Sequence, residues 1–403
     1  MKQLSDSERR LAEGIDQPAM LAQTEAWCAI NSGTGNADGL AAQASALADA
    51  FSGLPGSVHL REPAPVTAID ASGREVELAH GQHLVLTVRP EAERRFLLTG
   101  HMDTVFPADH PFQSGDWLDD DVWNAPGAAD MKGGIAVILH ALAAFETSDA
   151  AARVGYDVMI NSDEETGSLS SAPLIAELAS GKLAALTYEP SALPDGTLAH
   201  ARGGSGNYSL VVAGRSAHAG RNPEDGRNAV VAASALAVAL KAMGHAELSV
   251  NPARIDGGSA NNVVPDHAVL RFNIRPRTTE AAEAFQRDIR ALIDEIASAH
   301  ELRIALHGGV TRPPKPVDAR AQKLFDLVAE TSEALGRKLG WQASGGVCDG
   351  NNIAACGVPV VDTMGVRGGA IHSPQEYMIA SSLSERAALS AVVLHRLAMG
   401  DLL

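Results

Sequence analysis

Cysteine is nearly absent: Cys28, Cys348 and Cys356 are the only three in 403 residues. They form no Cys-x-x-Cys pair and no even set for a disulfide framework, which suits a reducing compartment. Basic charge is also scarce. Thirty-two Lys and Arg stand against 49 Asp and Glu, for a net charge of −17, and no Lys/Arg cluster breaks that balance locally. Nucleic acid and anionic membrane surfaces are poor partners for such a chain. Long apolar runs are missing: no window comes near the roughly 18 apolar residues of a membrane span, and MKQLSDSERR at the start has no apolar segment behind it. A cytoplasmic protein is expected. What is present is a globular composition, 45% hydrophobic and 20% charged, with too little charge for disorder and enough apolar material for a large core. Cores rarely grow beyond about 250–300 residues, so two domains are expected, one interrupted by the other.

Hydrophobic patterning fills in that outline. Residues 8–30 and 39–51 read as helices, 84–88 and 96–99 as strands, and 131–145 as a helix that opens just after a Gly-rich turn. A strand over 156–160 ends in a run of acids, and a helix near 173–179 leads to a strand over 184–188 that ends at Glu189. Alternation of this kind predicts an α/β fold, a mixed, largely parallel sheet covered by helices. From residue 203 the texture changes. Strands over 208–213, 249–254, 268–275 and 302–307 enclose helices over 227–243 and 279–299, the order of a ferredoxin-like α+β unit. The Pro-rich segment 311–318 reads as the return linker. Helices over 319–335 and 381–399 and a strand over 358–362 then complete the first sheet. The expected division is 1–202 and 313–403 for one domain, with 203–312 inserted.

Strand ends are where open α/β sheets keep their sites, and here they carry chemistry. His101 and Asp103 follow one strand, Asp130 lies in the Gly-rich turn, Asp163, Glu164 and Glu165 follow a second strand, and Glu189 follows a third. His372 comes after the loop 365–369. Taken singly, each has a plain structural explanation: a hydrogen-bonded histidine, a helix N-cap at Asp130, a solvated acidic turn, a strand exit. Together they form the nitrogen and oxygen donor set preferred by zinc, manganese or cobalt. At i and i+2, His101 and Asp103 leave one face of an extended segment, so Asp103 can orient the imidazole. Glu164 and Glu165, adjacent in extended backbone, point oppositely, so one can bind metal while the other serves as a base.

TGHMDTVF at 99–106, GAADMKGG at 127–134, SDEETGS at 162–168, SAHAGRNPEDGRNA at 216–229, GGSANNVVP at 257–265 and IHSPQEY at 371–377 resemble the dinuclear zinc metallopeptidase family. That family includes carboxypeptidase G, aminoacylase, acetylornithine deacetylase and succinyl-diaminopimelate desuccinylase. The resemblance implies that Asp130 bridges two zinc ions, with cobalt or manganese as substitutes. His101 and Glu189 would complete one metal site, Glu165 and His372 the other, and Glu rather than Asp at 189 matches the carboxypeptidase G branch. A hydroxide between the metals would attack an amide carbonyl, with Glu164 as general base and Asp103 supporting His101. The inserted unit would be a lid and dimerisation domain whose His218 reaches the site of a homodimer partner. Asn262 and Arg275 would bind the substrate carboxylate. Gly345 and Gly346 fall in the relatives' substrate loop, where Cys348 replaces the usual Thr or Ser. The expected activity is hydrolysis of a short peptide or N-acyl amino acid. Two alternatives stay open, a non-catalytic binding or dimerisation module and a metal-independent hydrolase using Cys348.

Overall fold

The computed structural model describes residues 3–401, and the chain divides into two units. The first comprises the chain through Ala64, Ala79–Ala201 and the chain from Val317. At its centre is a six-stranded sheet: β1 (Ser57–Arg61), β2 (His83–Val88), β3 (Arg95–His101), β4 (Gly155–Asn161), β5 (Ala184–Thr187) and the strand Val360–Val361. The order is β1-β2-β4-β3-β5-Val360–Val361. β4, β3, β5 and Val360–Val361 run parallel, and β2 runs antiparallel to both β4 and β1. β4, GYDVMIN, is buried along its whole length, as a central strand covered on both faces must be. Its one charge, Asp157, is matched by Arg95 Nη2 and Lys182 Nζ, each at 2.9 Å, and by Thr87 Oγ1 at 2.8 Å.

The helix Gly133–Glu146 is buried along most of its length and packs within this core. With the preceding turn, residues 128–146 are long and apolar enough to cross a membrane, at a mean hydropathy of 1.4. This corrects the expectation that no window approaches that length. The stretch is 83% buried inside the protein, where side chains such as Ile135, Ile138 and Leu142 each contribute about 1.5–3 kcal/mol by leaving water. Gly134 lets the helix pass close under β5. A Cβ there would lie 2.1 Å from the Tyr188 carbonyl oxygen, so no other residue fits without backbone movement.

The second unit comprises Pro65–Leu78 and Arg202–Pro316. Its sheet, β6 (Ser205–Ala213), β7 (Leu248–Gly257), β8 (His267–Pro276) and β9 (Arg303–Arg312), is antiparallel in the order β7-β8-β6-β9. With the helices Ala229–Ala242 and Thr279–Ala299 this is the ferredoxin-like arrangement. β6 alternates buried and more exposed positions, as a sheet covered on one face should. Tyr208 stacks on Phe272 with ring centroids 5.0 Å apart. Thr278 caps the longer helix through Ala281 N at 3.1 Å.

The inserted stretch runs Arg202–Pro316 rather than 203–312, and the boundaries differ in one larger respect. The hairpin Val66–Ile69 and Glu75–Leu78 belongs with the second unit, because Arg271 Nη2 donates to Ile69 O at 2.9 Å and Gly73 lies against His267 and Val211. The expected helix over 8–30 is also two helices, Asp6–Glu13 and Gln17–Cys28. Gly14 ends the first, and Asp16 with Pro18 starts the second.

Candidate metal centre

Because β3, β4 and β5 are parallel, their carboxyl ends line one edge of the sheet. That edge carries His101 at the end of β3, Glu164 and Glu165 just beyond β4, and Glu189 just beyond β5. Asp130 and His372 arrive by another route. Four short strands, Asp116–Trp117, Val122–Asn124, Gly368–Gly369 and Tyr377–Ile379, form an accessory sheet in which Tyr377–Ile379 pairs with Val122–Asn124. That pairing lays the segment before Tyr377 beside the turn 127–132. Nothing in the periodicity announced it, since its strands are two or three residues long.

In the resulting cluster His101 Nε2 lies 3.1 Å from Asp130 Oδ1 and 3.7 Å from Glu189 Oε2. His372 Nε2 lies 3.3 Å from Asp130 Oδ2 and 3.2 Å from Glu165 Oε2. Asp130 thus faces one histidine with each oxygen, and it is not the N-cap of the following helix. Donor atoms of His101, Asp130 and Glu165 lie within 4.8 Å of one another, as do those of His101, Glu164 and Glu189. All five expected ligands and the expected base are therefore in one place. Glu164 and Glu165 begin a 3₁₀ turn rather than an extended segment, Glu165 grouping with Asp130 and Glu164 with Glu189.

Burial disfavours charge on His101, yet Glu189, Asp103 and Asp130 together hold its pKa well above the ordinary range. Hydrogen bonds to Asp130 and Glu165 push His372 up to about 10. Burial opposes ionisation of Asp130, but the two histidines outweigh it and lower its pKa. Burial and the neighbouring Asp130 raise Glu165 to about 7. The field that draws protons onto both imidazoles would be satisfied equally by cations, and three carboxylates with two imidazoles match the donors divalent metals take. The residues fit a two-metal group.

The surroundings hold these side chains in place. His101 Nδ1 lies 3.0 Å from the Asp103 main-chain oxygen and 3.4 Å from its carboxylate. The carbonyl can only accept, so Nδ1 carries the hydrogen and Nε2 faces the cluster. The expected carboxylate contact is thus joined by a shorter one to the main chain. The Asp103 carboxylate also accepts from Thr34 Oγ1 at 2.9 Å and from the main-chain nitrogens of Glu164 and Glu165 at 3.2 Å. Glu376 accepts from Gly127, Ala129 and Asp130 nitrogens at 3.0–3.2 Å, fixing the Asp130 turn. It lies inside the IHSPQEY motif, but no spacing marks it as a partner of residues 127–130. Lys132 is buried and donates to Trp27 O and Ile30 O at 3.1 and 2.7 Å, anchoring the same turn from the other side. Ala370 and His372 hold left-handed φ angles of 53° and 62°, a conformation costing about 1–2 kcal/mol.

The remaining expected residues are not part of this cluster. His218 and Asn262 are exposed neighbours in the second unit. His218 pairs with Val263 across a two-residue ribbon, and Asn262 O accepts from Ala219 N at 2.9 Å. Arg275 is exposed on β8, its Nε bonded to Asn273 Oδ1 at 3.0 Å. Gly345 and Gly346 form an exposed loop of the first unit, before the helix Asp349–Ala355. A Cβ at Gly345 would meet nothing within 4 Å, so no steric need for glycine exists there. Cys348 is buried at the start of that helix, its main-chain nitrogen bonded to Asn351 Oδ1 at 3.1 Å. Asp349 accepts from Asn161 and from Ser168 Oγ, tying the start of that helix to the segment beyond β4.

The family model of peptidase family M20/M25/M40 matches residues 97–396, which span both units and every residue of the cluster. The chain belongs to this family. Carboxypeptidase G2 of Pseudomonas sp. (strain RS-16) is 29% identical over 397 residues, 96% of this chain and 91% of that one. A succinyl-diaminopimelate desuccinylase of Ectopseudomonas mendocina is 30% identical over 273 residues, 64% of this chain and 70% of its own. Among solved structures, a dinuclear metal binding M20 peptidase of Bacillus subtilis superposes with a TM-score of 0.67 at 14% identity, covering 95% of this chain and 98% of that one. At that identity the likeness is one of fold. M20 members are hydrolytic metalloenzymes, and this chain is a hydrolase of that kind.

Proposed function

We propose that the chain is a two-zinc exopeptidase or N-acyl amino acid hydrolase, acting on a small amide that bears a free carboxylate. The observation that carries this is the convergence of His101, Asp130, Glu165, Glu189 and His372 with Glu164 beside them. The carboxypeptidase reading within M20 draws on the likeness to carboxypeptidase G2 along nearly the whole of both chains. Zinc bound by these side chains would supply Lewis-acid polarisation of the scissile carbonyl and a water of lowered pKa. Glu164 takes the proton of the attacking water and returns it to the departing nitrogen. Asp103 holds the Nδ1–H of His101 through its carbonyl and the Glu164–Glu165 turn through its carboxylate. Arg275 and Asn262 are proposed to hold the substrate carboxylate, and the loop at Gly345 and Gly346 to border it. His218 is proposed to act in the site of a second copy of the chain, as a homodimer in the cytoplasm.

The test is elemental mass spectrometry on protein purified without added metal or chelator, paired with a panel of N-acyl amino acids and dipeptides. About two zinc ions per chain, with hydrolysis lost on chelation and restored by metal, are expected. Metal-free protein whose hydrolysis resists chelation would overturn the proposal. Mixing His218→Ala with Asp130→Ala subunits is expected to recover activity through one hybrid site. No recovery in heterodimers shown to form would remove His218 from the partner's site.

A further inference from the structure

The turn that carries Glu164 and Glu165 rests on a hydrogen-bonded chain running through His83. This residue opens β2 and is fully buried. Its Nδ1 lies 3.3 Å from the main-chain nitrogen of Ser162. A peptide N–H only donates, so Nδ1 is the bare, accepting nitrogen. The Ser162 hydroxyl is committed elsewhere, donating to Gly81 O at 2.7 Å. Burial lowers the pKa of the ring against the opposing pull of Asp163, Asp349 and Asp103, with His80 adding to the lowering. A neutral imidazole with a bare Nδ1 carries its hydrogen on Nε2.

Nε2 lies 3.3 Å from Ser170 Oγ, to which it donates. The Ser170 hydroxyl then donates to Asp163 Oδ2 at 2.9 Å, and the Ser170 main-chain nitrogen reaches the same oxygen at 2.7 Å. The direction of every bond is thereby set: Ser162 to His83, His83 to Ser170, Ser170 to Asp163. Asp163 immediately precedes Glu164. The chain begins and ends within residues 162–170 and closes them into a ring through a side chain from another strand.

We infer that His83 is a positioning residue: by holding one tautomer it fixes residues 162–170 and so aims Glu164 and Glu165. This role rests on the reaction proposed above. Apolar replacement of the ring leaves the Ser162 N–H and the Ser170 hydroxyl without their buried partner. The turn can then shift, although neither His83 nor Ser170 touches substrate.

The test uses the full chain. Long-range ¹H–¹⁵N spectra of the histidine side chains at neutral pH, with the His83 signal identified by its loss in His83→Gln, are expected to show a bare Nδ1 and a protonated Nε2. The opposite tautomer or an imidazolium overturns the inference, whatever the activity. In kinetics, His83→Leu is expected to lower kcat by about 10- to 100-fold, the loss typical of partners that orient a metal site's ligands. KM should stay near the parent value. His83→Gln, whose amide N–H can still reach Ser170, should recover much of that loss. Ser170→Ala should reproduce it, and the double variant should lose no more than His83→Leu alone. If His83→Leu does not fold, Ser170→Ala and His83→Gln carry the kinetic test. Parent-like kcat in the folded variants, or additive losses in the double, overturns the role. A parent protein with neither metal nor amide hydrolysis defeats the proposed function instead, and the tautomer spectrum then decides the inference.

Discussion

Replacing Gly134 by alanine sets two effects of opposite sign against each other, and their sizes decide the outcome. Gly134 lies within the first turn of a helix, where intrinsic preference favours alanine by about 1 kcal/mol. On that ground alone the variant should be more stable. The added Cβ, however, falls 2.1 Å from the Tyr188 carbonyl oxygen and 3.2 Å from Met131 Cε. Met131 can give way, but the carbonyl belongs to the backbone just past β5 and must move by more than about 1 Å to reach an ordinary contact distance. Overpacking of this kind costs about 1–3 kcal/mol, so a net loss of up to about 2 kcal/mol is expected after the helical gain. Glu189 follows Tyr188 directly, so the same shift displaces a side chain of the metal cluster. A misplacement of about 1 Å can cost about 100-fold in rate. Urea unfolding gives the stability, and kcat with metal content on the same samples gives the function. Gly345→Ala, where nothing lies within 4 Å, is the control and should leave stability unchanged. A Gly134→Ala protein at least as stable as the parent and equally active would refute the argument, showing that the helix and β5 separate freely.

Other outcomes are equally open to measurement. Glu164→Gln should keep its metal but lose at least about 100-fold in kcat, the usual contribution of a general base, and parent-like turnover would remove Glu164 from that role. Saturation with zinc at about 100 times Kd should raise stability by about 2.7 kcal/mol per independent site relative to chelated protein; a melting temperature indifferent to zinc would contradict a cluster built for cations. Asp157→Asn strands the buried Lys182 ammonium beside Arg95, and breaking such a pair should cost about 3–5 kcal/mol in chemical denaturation. Asp157→Leu combined with Lys182→Met should recover part of that loss.

Much of this architecture was legible in the residues. The parallel strands could be read from apolar runs that stop at acids and histidines, and the second unit from its order of strands and helices. Three of the metal-type side chains, His101, Glu165 and Glu189, were legible because each sits at or just past a parallel strand end, while Asp130 and His372 were legible from the motifs that carry them. Other features carry no local signal. Glu376 binds the Asp130 turn through main-chain nitrogens nearly 250 positions away, and a main-chain donor leaves no trace in residue identity. The accessory sheet escaped because strands of two or three residues are too short to show a periodicity. The break at Gly14 was marked by Asp16 and Pro18, but the apolar spacing on either side runs through it. His83 looks like one more residue of an apolar strand until the nitrogens around its ring are known.

The allegiance of the hairpin at Val66–Ile69 and Glu75–Leu78 changes how the protein can be made and cut. The chain passes from one unit to the other four times, and the hairpin is synthesised long before β8, the strand whose Arg271 holds it. On the ribosome it must wait, its partner not yet made, while β2 to β5 emerge, and only then close a very long loop. An excised fragment beginning at Arg202 would contain all four strands of β6 to β9 and both helices, yet leave the surface around Arg271, His267 and Val211 uncovered. A soluble version of that unit should therefore carry residues 65–78 fused to it through a designed linker. Attempts to exchange it among relatives should transfer both segments together.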